Sequence, residues 1–208
     1  MSLVAPHLTT TKNPSLIVHG TLDVKAWQQR PPTVEEARPA QCPICANASR
    51  PIGGLLGLHG HGLRDRQVRG PPTITAPSAQ IVIACRRYLC VRCCAVLTVV
   101  PLGIEPRRHY GRAAICLALA LWALGGQPTV RVRDRVGNWM SYATTSWRAL
   151  RQWAAAAAAG AWTWCGGAAG LPIRTGAARA AQIAAGLAPP GTVGAIDAQA
   201  YAGGAALR

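Results

Sequence analysis

The sequence predicts an α+β protein in which a small β-rich module precedes a bundle of three helices. Two C-x-x-C pairs alternate with short runs of β-branched residues, which is typical of a small metal-bound β module. Apolar residues with helix-ending glycines follow, and Ala/Gly-rich sequence closes the chain. We therefore expect a leader and linker over 1–40, the β module over 41–104, the helical domain over 105–159 and a tail over 160–208.

The leader is irregular and proline-containing, and we expect it to be flexible. Within it, "LIVHGTLDVKAWQQR" has the composition of a strand and a short helix. "RPPTVEEARPAQ" is typical of a linker, in which Thr33 could start a brief helix. The opening "MSLVAPHLTTTKNP" lacks the pattern of a secretory signal, and the longest apolar stretch, Ala113 to Leu124, is shorter than the roughly 20 residues of a membrane span. We expect a cytoplasmic protein with no membrane partner.

The β module contains two strand-like runs, "IVIACRRYL" and "AVLTVV". Between the cysteine pairs lies "GGLLGLHGHGLRDRQVRGPPTITAPSAQ", whose glycines and prolines suit turns. The sequence therefore predicts long loops joined to few strands in this region.

Three helices are predicted in the helical domain. "YGRAAICLALALWALGG" ends at a Gly-Gly stop, and "PTVRVRDRVGN" starts at Pro128 and ends at Gly137. "SYATTSWRALRQWAAAAAA" is the third, with Ser141 as its cap. In the tail, "TGAARAAQIAAGLAPPG" is compatible with a helix, but the remainder has little apolar area to bury, and we expect partial disorder.

The charge of the chain favours a polyanionic partner. Its 22 Lys+Arg against 7 Asp+Glu give a net charge of +15. Fifteen arginines but only three acids lie between Gln41 and Arg151. Such a chain is expected to bind DNA, RNA or an anionic surface.

The cysteine pairs predict a zinc site. Cys42 and Cys45 in "CPIC" match Cys90 and Cys93 in "CVRC", and four thiolates complete a tetrahedral shell. The 44 intervening residues exceed the roughly 15–20 of a compact ribbon. Two unrelated pairs of buried thiols, or a redox C-x-x-C, are the alternatives.

Other possible ligands are less favoured. His59 and His61 would each be a fifth ligand, since the pairs already supply four sulfurs. The other cysteines lie outside the two C-x-x-C pairs: Cys85, Cys94, Cys116 and Cys165. Of these, we expect Cys85, Cys116 and Cys165 to be small apolar residues.

Together these motifs resemble the N-terminal zinc ribbon of bacterial insertion-sequence transposases, followed by a helix-turn-helix. The resemblance is greater to small proteins of bacterial mobile elements that carry only those DNA-binding parts. It covers roughly residues 42–153 and rests on Cys42, Pro43, Cys45, Gly60, His61, Gly62, Arg64, Arg86, Arg87, Tyr88, Cys90 and Cys93.

Two features depart from the family pattern. Glycine usually follows each knuckle, the turn formed by a C-x-x-C pair, because the turn favours positive φ. Ala46 and Cys94 stand there in this chain. The usual aromatic after the second knuckle is also missing, so Leu97 or Val99 must pack in its place.

The resemblance implies a zinc-dependent protein that binds double-stranded DNA and has no catalytic domain. A separate transposase or recombinase is a further implied partner. The basic clusters would contact phosphates, and polar residues of the third helix would reach base edges. The predicted DNA-contacting residues are Arg64, Arg66, Arg69, Arg86, Arg87, Arg107, Arg108, Arg131, Arg135, Thr144, Thr145, Ser146, Arg148 and Arg151.

Several alternatives stay open. The arginines could form a solvated basic surface, and the helices a plain bundle whose third helix packs through Trp147, Leu150 and Trp153. A zinc-stabilised adaptor that binds protein or RNA is the second functional interpretation. A nuclease or transposase activity is not expected, because two-metal catalysis needs clustered carboxylates and the acids are scattered.

Overall fold

The computed structural model describes residues 14–105, 108–137 and 147–207. The chain divides into two compact units. In the described part, the first unit comprises 14–18, 32–64 and 85–100, and the second comprises the remainder. The units are interleaved along the sequence, whereas the expected domains were consecutive.

The described residues form a four-stranded sheet in the order β1-β4-β3-β2. The strands are β1 (Ser15–Asp23), β2 (Leu58–Gly70), β3 (Ala79–Cys90) and β4 (Val96–Leu102). β3 and β4 are antiparallel, with Tyr88 opposite Leu97. The α+β class is therefore confirmed, and both strands expected around the second cysteine pair are present.

β2 corrects the expectation of a long loop. Its glycine-rich sequence hides the strand pattern, and His59 to Asp65 are all exposed, so no alternation of apolar and polar residues marks it. Gly62 adopts a φ of 78°, which explains a glycine inside a strand.

In the first unit, residues 32–38 cover one part of the sheet. Thr33 and Glu36 form a reciprocal capping box, in which each backbone N–H donates to the other side chain at 2.8 and 3.2 Å. The hydroxyl of the fully buried Tyr88 donates to the carbonyl of Val34 at 2.6 Å. Part of the expected leader is thus an ordered piece of this unit.

The second unit carries the helices. They are α1 (Val24–Gln29), α2 (Arg112–Leu119), α3 (Thr129–Val136), α4 (Arg148–Ala158), α5 (Ile173–Gly186) and α6 (Ile196–Ala206). A π-helical turn at Ala120–Leu124 continues α2 to the predicted Gly-Gly stop. None of the helices in the described ranges has the length and apolar character needed to cross a bilayer.

α3 and α4 correspond to the expected second and third helices. α3 begins after Pro128 and ends at Gly137, as predicted. α4 buries Leu150 and Trp153, and Tyr110 packs edge-on against Trp153 with ring centroids 4.8 Å apart. Residues 138–146, which include the expected cap Ser141, lie outside the described residues, so the helix-turn-helix stays a prediction.

Residues 160–208, expected to be a partly disordered Ala/Gly-rich tail, contain two helices. α5 overlaps the segment over 175–191 that was compatible with a helix, and α6 lies where partial disorder was expected. Both helices contribute to the apolar core of the second unit, with Ala177, Ala184 and Ala200 fully buried. Small residues allow this burial because the backbones of two helices can approach closely where the side chains between them are small. A Cβ on Gly203 would lie 1.7 Å from the Ala184 carbonyl oxygen.

Gly203→Ala is expected to destabilise the protein by about 1–3 kcal/mol, because the added methyl group forces α5 and α6 apart. Gly186→Ala is the matched control, since its Cβ would meet no atom within 4 Å. The control should be neutral or slightly stabilising. Urea unfolding followed by tryptophan fluorescence measures both, and equal midpoints for the two variants would contradict this packing.

A buried ion pair anchors the end of the second unit. Arg112 Nε donates to Glu105 Oε2 at 2.9 Å, and Arg112 NH1 donates to the carbonyl of Leu207 at 3.1 Å. Both charged side chains are almost fully buried. The interaction joins the start of α2 to the residues that follow α6, which gives the C-terminal segment a structural role.

Candidate metal centre and basic surfaces

The first knuckle is a tight turn closed by backbone hydrogen bonds. The Ala46 N–H donates to the Cys42 carbonyl at 2.8 Å, and the Cys42 N–H donates to the Asn47 carbonyl at 2.9 Å. Pro43 suits this turn because its fixed φ preorganises the chain. These bonds place Cys42 and Cys45 on the same side of the turn.

The second knuckle repeats the same pattern. The Cys94 N–H donates to the Cys90 carbonyl at 2.9 Å, and the Cys90 N–H donates to the Ala95 carbonyl at 2.9 Å. Each bond has its counterpart at the equivalent position of the first knuckle. The matched C-x-x-C spacing therefore reflects matched backbone geometry.

The residue after each knuckle has a left-handed backbone. Ala46 has φ 55° and Cys94 has φ 58°, and they are the non-glycine residues with positive φ in the described ranges. This is the position where the resemblance calls for glycine. A Cβ in this region is sterically unfavourable by roughly 1–2 kcal/mol.

Ala46→Gly and Cys94→Gly are each expected to stabilise the first unit by about 1 kcal/mol, because glycine removes the steric cost of positive φ. Ala48→Gly is the control, since Ala48 forms a β-bridge with Gln41 and has no such strain to relieve. Thermal unfolding in the presence of zinc measures the shifts. A loss of stability in both knuckle variants would be the contrary result.

The two knuckles bring four sulfurs together. Cys42 Sγ lies 3.7 Å from Cys93 Sγ, and Cys45 Sγ lies 3.6 Å from Cys90 Sγ. All four sulfurs fall within 4.8 Å of one another, and among the residues described this is the group of side chains able to hold a metal ion. The predicted ligand set is thus assembled.

The crowded thiols have divergent pKa values. Burial raises the pKa of Cys90, but hydrogen bonds from the N–H groups of Cys93 and Arg92 and from neighbouring thiols lower it overall to about 6. The Ala95 N–H lowers the pKa of Cys93, yet burial and the other sulfurs raise it to about 12. The neighbouring sulfurs therefore disfavour a negative charge on Cys93, and a bound cation would offset that repulsion.

The remaining cysteines and the histidines lie outside this group. Cys85, Cys116 and Cys165 are fully buried, and burial raises the pKa of Cys116 and raises that of Cys165 to about 11. The thiols of Cys116 and Cys165 are therefore protonated at neutral pH. Cys94 is exposed, and His59 and His61 are exposed on β2.

Two of the arginines predicted to contact DNA donate hydrogen bonds to backbone carbonyls of the protein. Arg66 NH2 donates to the carbonyls of Glu105 and Arg108 at 2.9 and 2.8 Å. Arg135 donates to the carbonyls of Ala76 and Ile74. These two guanidinium groups hold loops in place, and their expected role as phosphate contacts is correspondingly weakened.

Two more of the arginines predicted to contact DNA use part of their guanidinium group in hydrogen bonds within the protein. Arg86 Nε donates to the Pro32 carbonyl at 3.0 Å, and Arg69 donates to the side chains of Gln80 and Gln67. Arg87 and Arg108 are half-buried. The usual packing of long side chains explains this mixture, because arginine stems cover apolar surface while the head group stays polar.

Exposed arginines remain in both units. Arg64 is exposed in the first unit, and Arg131, Arg148 and Arg151 are exposed in the second. Arg151 and the exposed Gln152 lie three and four residues after Arg148 on α4, so both lie beside Arg148 on one face of that helix. The predicted contacts Arg107, Thr144, Thr145 and Ser146 lie outside the described residues.

Two residues around these sites were not predicted from the sequence. Asn47 lies beside the cysteine cluster, and its position directly after the first knuckle was the available signal. Arg112 was not distinguished from the surface arginines, because nothing local marks it as the partner of Glu105.

Comparisons of the chain with family models, with curated proteins and with solved structures found no match. We therefore infer function from the geometry of the cysteine cluster, the distribution of charge and the resemblance of the sequence motifs.

Proposed function

We propose that Cys42, Cys45, Cys90 and Cys93 hold a structural Zn²⁺ ion. Four thiolates suit zinc, because zinc binds sulfur readily and its filled d shell allows the tetrahedral arrangement that four ligands adopt. Four protein ligands also leave no open coordination position, as in structural rather than catalytic centres. The supporting observation is that two knuckles with the same backbone hydrogen bonds bring their four sulfur atoms close together.

We further propose that the protein binds double-stranded DNA in the cytoplasm. The exposed face of α4 carries this proposal: Arg148, Arg151 and Gln152 project from the first half of the helix, opposite the buried Leu150 and Trp153. No acid occurs between Asp134 and Asp197 to offset these charges. Arginine and glutamine on an exposed helix are side chains that contact phosphates and base edges.

The resemblance of the motifs to mobile-element proteins supports a proposal for the kind of DNA-binding protein this is. The proposed role is that of a transposase-related accessory protein or remnant, without chemistry of its own and acting beside a separate transposase or recombinase. In the described residues, the group that could bind a metal consists of cysteines. A sulfur site of this kind serves stability rather than phosphoryl transfer.

A salt series on duplex DNA tests the DNA proposal. Affinity should fall steeply with salt, because each neutralised phosphate releases counterions. Arg148→Ala or Arg151→Ala should cost about 1–3 kcal/mol on a preferred duplex selected from a random pool and less on a scrambled one. Arg179→Ala, which removes an exposed charge from α5, is the matched control.

The outcomes separate the possibilities. Equal losses of DNA affinity in all three variants would show that only net charge matters. The exposed face of α4 would then not recognise base sequence. Affinity that does not respond to salt would overturn DNA binding altogether.

A zinc-stabilised adaptor for protein or RNA is the second candidate, and exposed apolar side chains of the first unit favour it. Ile44 and Val91 lie within the two knuckles and are about half exposed. Ile52 and Leu55, in the loop between the first knuckle and β2, are almost fully exposed. Exposed apolar groups of this size suit a protein surface better than a phosphate backbone. Ile44→Ser combined with Val91→Ser should leave duplex affinity unchanged if α4 binds the DNA.

A further inference from the structure

Asn47 joins the first knuckle to a ligand of the second. Its backbone carbonyl accepts the Cys42 N–H, which closes the first turn. Its side-chain Nδ2 lies 3.3 Å from the Gly57 carbonyl oxygen and 3.9 Å from Cys90 Sγ. One carboxamide therefore directs its two N–H groups towards a loop carbonyl and a ligand sulfur.

Gly57 fixes that carboxamide from the other side. Its carbonyl also accepts the N–H of Val91 at 3.1 Å, and its own N–H donates to the Ser49 carbonyl at 2.9 Å. A Cβ on Gly57 would lie 2.6 Å from Asn47 Nδ2 and 2.1 Å from the Ala48 carbonyl oxygen. The loop thus approaches both knuckles closely, and the absence of a side chain leaves room for Asn47.

The chemistry of a four-thiolate centre gives this contact its importance. Four thiolates around a divalent ion carry a formal charge of −2, which must be offset in a partly buried site. N–H groups directed at ligand atoms offset this charge and orient the ligands, and such partners affect metal affinity strongly. Arg92 is exposed, so solvent screens its contribution.

We propose that Asn47 is the positioning residue of the metal centre: its carboxamide holds the Cys90 sulfur in place and ties the two knuckles together through Gly57. This inference rests on the proposed zinc site. It assigns to Asn47 a function in slowing metal release and in protecting Cys90 from reaction.

The first test is a zinc competition titration on the full chain with a chromophoric chelator. Asn47→Ala should lower zinc affinity by about 10–100-fold, the range for loss of an outer-shell partner. Asn47→Asp should lower it at least as much, because the carboxylate keeps the size but places negative charge beside the thiolates. Ser49→Ala is the matched control, since the Ser49 hydroxyl bonds the Pro39 carbonyl rather than a knuckle.

The second test measures the reactivity of the zinc-loaded protein towards iodoacetamide, with the modified cysteine identified by mass spectrometry. A thiolate that loses a hydrogen-bond donor becomes a better nucleophile. In Asn47→Ala, alkylation should accelerate at Cys90 more than at Cys42. A purely structural role for Asn47 would accelerate all four ligands together.

The results distinguish this inference from the zinc proposal. If the wild-type protein binds no zinc, the zinc proposal fails and Asn47 has no such role. If the wild type binds zinc but the Asn47 variants match it, only the assignment of Asn47 is overturned. Equal losses in Ser49→Ala and Asn47→Ala would also overturn it, because the effect would then be general destabilisation.

Discussion

Replacing Cys90 by serine is expected to abolish zinc binding and unfold the first unit. The hydroxyl is a poor zinc ligand, and the binding free energy of a structural zinc, on the order of 10–16 kcal/mol, is also folding free energy. Cys90 is fully buried and sits 3.6 Å from Cys45 Sγ. The zinc content should fall from one ion per chain to none, measured by elemental analysis together with circular dichroism.

Cys94→Ser is the matched control for this prediction. Cys94 is the next cysteine after the second knuckle, and it is exposed and outside the sulfur cluster. It should keep its zinc and its fold. Equal loss of metal in the two variants would show that the ligand set has been assigned incorrectly.

Removing one partner of the Arg112–Glu105 pair is expected to destabilise the second unit by about 3–5 kcal/mol, because the remaining charge stays buried and uncompensated. Arg112→Met keeps most of the side-chain volume, but it leaves the Glu105 carboxylate without its cation and the Leu207 carbonyl without this hydrogen-bond donor. Denaturant unfolding followed by tryptophan fluorescence measures this loss, since the core of the unit contains several tryptophans.

Arg133→Gln provides the comparison. The Arg133 side chain is mostly buried, but it pairs at 3.1 Å with Asp134, whose side chain is more than half exposed. Loss of this pair leaves a solvated carboxylate and should cost at most about 1 kcal/mol. A small effect for Arg112→Met, comparable with that of Arg133→Gln, would contradict the buried ion pair.

Local patterns explain what the sequence could predict. The cysteine ligands follow from spacing, because each C-x-x-C forms its own turn, and the left-handed φ of Ala46 and Cys94 follows from the geometry of that turn. The ends of α3 follow from Pro128 and Gly137. These features depend on a few neighbouring residues, so no knowledge of the fold is needed.

The features that escaped prediction depend on distant partners. α5 and α6 are rich in alanine, and their burial depends on contacts between helices, such as the close approach of Gly203 to Ala184, that no local pattern marks. Arg66, Arg112 and Arg135 look like surface arginines until the carbonyl or carboxylate groups that they bind are brought near. β2 lacks an alternating pattern because its first half is exposed on both faces.

X-ray absorption at the zinc edge of the purified full chain tests the central claim most directly. Cys42, Cys45, Cys90 and Cys93 should give one zinc ion surrounded by four sulfurs at about 2.3 Å. A shell containing nitrogen or oxygen ligands, or a chain that retains no zinc after purification, would contradict the proposed centre.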